Sequence, residues 1–148
     1  MIKKEVYQRC MDVLNGRIEK YRNEIALLKE SAENEDHHKE SEEDGTTEGG
    51  YGENYTQTMR YLDETLKLKE QLKHIDIFQN NDNVKMGSLV HTDRGTFFLS
   101  VPLGILEANG EKFTAISGKA PVAELLLHKK EGETITFNNN SFTIQKIE

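Results

Sequence analysis

Eight residues near the start of the chain restrict its fold more than anything else. Tyr7, Met11, Leu14, Ile18, Tyr21, Ile25, Leu28 and Ala32 are separated by 4, 3, 4, 3, 4, 3 and 4 positions. That alternation is the seam of a helix packed along its length against another helix. Glu19, Lys20, Arg22, Glu24 and Lys29 fill the remaining faces. The spacing predicts a helix over residues 2–32, roughly 45 Å long at its rise per residue. A seam of that length needs a partner. A second apolar series supplies one: Met59, Leu62 and Leu66, continued after a phase shift by Leu68, Leu72 and Ile75. Asn54, with Gln57 three positions later, reads as a capping box that starts this second helix. Asn80-Asn81-Asp82-Asn83 reads as the linker that ends it. The expectation is an antiparallel coiled-coil hairpin over 1–78, a linker at 79–84 and a second domain over 85–148.

Between the two apolar series the chain changes character. Residues 30–53 hold ten acids and one base, Lys39, for a charge of −9. The whole chain carries −7, so −9 in this segment leaves +2 for everything else. Gly45, Gly49, Gly50 and Gly52 disfavour helix, and the acids repel one another. An acidic loop over 33–53 is therefore expected as the tip of the hairpin. A free nucleic-acid binder carries the reverse, a basic stripe, so free DNA binding is not expected. A concentrated acidic point suits a cation, a basic channel or plain solvation.

From Val84 the period turns strand-like. Ser88–His91 and Thr96–Val101 flank the turn Asp93-Arg94-Gly95, and Asn109-Gly110 is a hairpin signal before Lys112–Ser117. Pro121 opens a short helix to Leu127. Thr134–Phe137 and Phe142–Ile147 are joined around Asn138-Asn139-Asn140. This predicts a small antiparallel sheet with one helix, and Phe97, Phe98, Phe113, Phe137 and Phe142 as its core. The fold class is α+β.

This order of parts resembles the Gre family of bacterial transcript-cleavage factors, over nearly the whole chain. The most specific stretch is Ala115 to Leu127, similar to the family segment in which a Ser-Pro pair opens a helix ending in Leu-Leu; Lys130-Glu131-Gly132-Glu133 looks like the family's closing turn. Ala120 stands where the family usually has Ser, and Ala123 and His128 where it usually has Gly. At the tip, Gly49-Gly50-Tyr51-Gly52-Glu53-Asn54 is similar to a family stretch carrying an Asp and a Glu. Glu53 and Asn54 match, and Gly50 occupies the Asp position. If the helices extend into the insert, Glu43-Asp44-Gly45 becomes the physical tip instead.

The resemblance implies an FKBP-like C-terminal domain that docks on RNA polymerase. It implies a cytoplasmic accessory factor, not an enzyme in its own right, whose tip enters the secondary channel and stimulates cleavage of backtracked RNA. Tip acids Glu53, Asp44 and Glu43 would assist catalysis, with Glu53 and Asp44 sharing a Mg²⁺ held jointly with the polymerase. Mg²⁺ is a hard ion that takes one or two carboxylates and keeps waters. The nascent RNA 3′ end would be met only inside that complex, and no cofactor of its own is implied.

Other readings use the same residues. With Gly50 in place of the Asp, a Gre-like regulator that occupies the channel without stimulating cleavage is the main alternative. The FKBP-like half also suggests a peptidyl-prolyl isomerase, although the lack of Trp argues against a proline pocket. His37 and His38 beside Glu33 and Glu40 have metal-ligand chemistry but read first as solvated. Tyr51 and Tyr55 flank Glu53 as contacts for RNA or as packing. The single cysteine, Cys10, makes no internal disulfide and fits a reducing compartment, with a packing role ahead of a nucleophilic one. No run of about 18 apolar residues signals a membrane span, and the charged N-terminus lacks the apolar core of a secretory signal.

Overall fold

A computed structural model describes residues 2–36, 46–80 and 82–148, with side chains for 2–33, 52–80 and 82–148. The element order is α1 (Lys3–Asp36), α2 (Thr46–Lys73), β1 (Leu89–Thr92), β2 (Gly95–Ser100), β3 (Gly104–Ala108), β4 (Glu111–Ser117), α3 (Pro121–Leu126), β5 (Thr134–Phe137) and β6 (Asn140–Ile147). No helix among the described residues is long and apolar enough to cross a membrane. Two compact units emerge: Val13–Lys69, and Met1–Asp12 with Glu70–Glu148. Both units take part of each long helix. That division by contacts differs from the division by element type, 1–78 and 85–148, expected from the sequence.

In the unit of residues 13–69, α1 and α2 lie antiparallel. Tyr21 meets Tyr61 with ring centroids 5.8 Å apart, and the Lys29 ammonium lies 5.8 Å from the centre of the Tyr55 ring. Moving up α1 thus moves down α2, as an antiparallel pair requires. Along α1 the expected seam holds from Leu14 onward: Leu14, Ile18 and Ile25 are buried, and Tyr21, Leu28 and Ala32 half-buried; before it, Val6 and Cys10 are buried and the expected Tyr7 and Met11 only half-buried. Along α2 the seam is displaced by one residue. Thr58 and Thr65, seven apart, are the buried positions, while Met59 and Leu66 stay exposed; Leu72, seven further on in the other unit, is buried as expected. A threonine can serve there because its hydroxyl is satisfied locally: Thr65 Oγ1 donates to the Tyr61 carbonyl at 2.7 Å.

The ends of α2 correct two expectations. The helix begins at Thr46, not Asn54, so Asn54 is an exposed mid-helix residue and no capping box forms. The acidic insert expected as loop over 33–53 is helical at 33–36 and at 46–53. At its other end α2 stops at Lys73, and Ile75–Gln79 leave the helix.

In the second unit, six strands form one sheet in the order β3-β4-β2-β1-β6-β5. Four pairings are antiparallel. The fifth, β2 with β4, is parallel, because β3 intervenes as an edge strand and reverses the chain. The Asn109-Gly110 turn has φ of 52° and 79°, and Asn138-Asn139 has 52° and 65°. Both are left-handed pairs suited to tight hairpins. Val84, Val90, Leu99, Leu126, Ile135 and Ile144 form the core under α3. Phe98 and Phe113 are fully buried within the sheet; Phe97 and Phe142 meet edge to face at 6.0 Å and are half-buried, as is Phe137.

The departures noted around α3 now have structural meaning. Ala120 is its N-cap and offers no side-chain hydrogen bond. Ala120→Ser should add that bond and raise stability by about 1 kcal/mol, read as a higher denaturant midpoint at unchanged slope. His128 has φ 72°, a conformation that favours glycine. In the closing turn, the Lys130 N–H donates to the Glu133 carboxylate at 2.6 Å, and Gly132 supplies φ 90°.

The first turn of α1 is fastened to the sheet unit. Val6 and Cys10 are fully buried, and the Asn109 amide donates to the Glu5 carboxylate. Burial pushes the Cys10 thiol up to about 12, so it stays a neutral packing group. Lys3 is 8% exposed and its Nζ has no hydrogen-bond partner among the described residues. Desolvation lowers its pKa, against the opposing charges of Glu148 and Asp76. A lysine held below its unfolded value binds fewer protons folded than unfolded. Its contribution to stability therefore rises as pH climbs through the folded value toward 10.5, the value of an ordinary lysine. Lys3→Met should be neutral to stabilising at pH 7, by about 1 kcal/mol, and should remove that rise. The difference between the two proteins isolates Lys3 from the thiol of Cys10, whose raised value acts in the opposite direction above pH 9.

Candidate functional site

The acidic segment, residues 30–53, spans the end of α1, the connection and the start of α2, so its residues are distributed over three settings. Glu30 and Glu33 are exposed on the last turns of α1. Glu53 is exposed on α2, seven residues after Thr46, or about 10 Å along the axis from the start of that helix. Its carboxylate makes no hydrogen bond or ion pair with the described residues. Glu43 and Asp44 belong to the nine-residue connection 37–45, outside the described residues, as do His37, His38 and Glu40. The side chain of Tyr51 is likewise outside them. Among the described residues no group of three His, Cys, Asp or Glu is placed to hold a metal.

Around Glu53 the helix pair is polar and braced. Tyr55 is half-buried beneath the Lys29 ammonium, which favours packing over solvent for this ring. The Gln57 amide donates to the Tyr61 hydroxyl at 2.6 Å, and Asp63 pairs with Lys67 at 3.2 Å. The one cysteine is remote from these acids in sequence and buried, so nucleophilic chemistry at Cys10 has no support.

The sequence reading placed Leu72 correctly but missed Thr58 and Thr65 as seam positions. A seven-residue repeat of a β-branched residue ending in Leu72 was the available signal. It also missed a cleft at the start of α1 and the end of α2, in the sheet-bearing unit. This cleft of about 350 Å³ is lined by Lys4, Tyr7, Lys73, Asp76 and Phe78, among others.

These observations define a class: two long paired helices joined through a concentrated acidic segment, in one chain with a mostly antiparallel six-stranded sheet and a single covering helix. Among solved structures, the chain is similar to GreA factor homolog 1 of Thermus thermophilus at 13% identity and a TM-score of 0.36, over 93% of this chain and 94% of that one. A second structure, of the transcription factor Gfh1, gives 14% identity and a TM-score of 0.38 over 93% and 92%. No family model and no curated protein sequence matches the chain.

Proposed function

We propose that the chain is a Gre-like accessory factor of RNA polymerase that works in the cytoplasm and stimulates cleavage of backtracked transcripts. The observation that carries the reading is the pairing of α1 and α2 at the segment of charge −9, residues 30–53, which spans the end of α1, the connection 37–45 and the start of α2. α1 alone has 34 residues, about 51 Å of helix. A braced helix pair of that length suits the delivery of carboxylates into a channel.

The chemistry needs little from the factor itself. The tip acids Glu43, Asp44 and Glu53 would help hold a Mg²⁺ at the polymerase centre, where the ion would supply charge stabilisation for the displacement at phosphorus. The metal is shared with the polymerase, the RNA 3′ end is met only there, and the polymerase performs the hydrolysis. The helical position of Glu53 supports giving the larger part to Glu43 and Asp44 in the connection. The sheet unit, free of the acidic excess, would dock on the polymerase.

Gly50 in the place of a family Asp favours a second reading: the chain occupies the channel and restrains synthesis without promoting cleavage. The test is to add the full protein to stalled, backtracked complexes of its host polymerase and follow the RNA 3′ end. Shortening supports the first reading. Binding without shortening transfers support to the second. Absence of binding removes both.

A further inference from the structure

We propose that the cleft at the junction of the α1 start and the α2 end binds a flat aromatic molecule bearing a phosphate-type dianion. Its residues all belong to the unit that contains the sheet, and it owes nothing to the acidic segment or to the polymerase reading.

The cleft offers about 350 Å³, at the lower end of small-molecule sites. One wall is apolar: Ile77 is 9% exposed, and Tyr7 and Ile75 are half-buried. Phe78, in contrast, is 84% exposed. A single exposed aromatic on a surface is ordinary. This one borders a cleft whose other apolar residues are already covered, so a flat ring laid there extends an existing apolar wall.

The charge is complementary to an anion. Lys4 and Lys73 both line the cleft and are exposed. The one acid among the lining residues, Asp76, already has partners: its Oδ1 accepts the Phe78 N–H at 2.9 Å, and it faces the charge of Lys3. Two ammonium groups beside an aromatic wall favour a dianionic head over a single carboxylate.

The wall is also fixed in place. The Gln79 amide donates to the Met86 carbonyl. A Cβ on Gly87, which has φ 91°, would lie 2.6 Å from the Asp76 carbonyl oxygen. The segment 76–79 therefore sits directly on the chain entering the sheet, closer than any side chain at 87 would allow. A ligand meets a preformed surface and spends little binding energy on ordering it.

The test is a titration of the full-length, isotope-labelled protein with adenosine 5′-monophosphate, followed by amide chemical shifts. Adenosine alone and inorganic phosphate are the comparison probes. Saturable shifts confined to residues 4–8 and 73–79 are expected, with each half-probe at least about tenfold weaker. Lys73→Gln and Phe78→Ala should each weaken binding about tenfold while leaving the remaining spectrum unchanged, since both side chains are exposed. No saturation at millimolar nucleotide overturns the proposal. So does phosphate binding as well as the nucleotide, or affinity indifferent to both substitutions.

Discussion

Alanine at both Glu43 and Asp44 is expected to lower the rate of transcript shortening by about two orders of magnitude, with binding to the polymerase retained. The size follows from the role proposed for these acids: removing even a group that only orients a metal ligand typically costs about 10–100-fold, and two carboxylates near the metal should reach the upper end of that range. Glu53→Ala should cost no more than about tenfold, because Glu53 is carried on the body of α2 rather than in the connection. Rates of RNA shortening in backtracked complexes, at saturating factor, check both. A larger loss from Glu53 than from the double change would move the working acid back into the helix.

Phe98→Ala should destabilise the sheet-bearing unit by about 3–5 kcal/mol. Phe98 is fully buried, and its register partners Leu89 on β1 and Ala115 on β4 are buried as well. No rearrangement fills the space without moving a strand on either side. Against a total of about 5–15 kcal/mol for an ordinary domain, the change should remove a large part of the denaturant midpoint at similar slope. Phe98→Leu, which keeps most of the volume, should cost about 1.5 kcal/mol or less.

Local chemistry explains what was legible in the sequence. Asn109-Gly110, Asn138-Asn139 and Pro121 each impose a backbone conformation by themselves, and the turns and the short helix fall where those residues put them. The α1 seam was legible because one face carries large apolar side chains without interruption. The α2 seam was not, because threonines occupy it and the larger Met59 and Leu66 lie outside it. The start of α2 was misplaced because intrinsic propensity penalises Gly49, Gly50 and Gly52. Once a helix exists, however, each further residue adds a hydrogen bond without a new nucleus. The parallel β2–β4 pairing depends on contacts between segments separated by an intervening strand, and no short window of sequence encodes it. Of the candidate acids, residue type and clustering were legible; their division between helix and connection was not. The cleft beside Phe78 needed the close approach at Gly87, which becomes visible only in three dimensions.

The segment joining α1 and α2 is expected to reach the catalytic centre of the polymerase. An iron chelate tethered through Asp44→Cys tests it most directly, and buried Cys10 with its raised pKa leaves the new thiol as the reactive one. In backtracked complexes, radicals generated at position 44 should cut the RNA at its 3′ end, and the same chelate on Lys112→Cys, exposed on β4, should not. Cutting from position 112 alone, or none from position 44 while the labelled protein remains bound, would contradict the account.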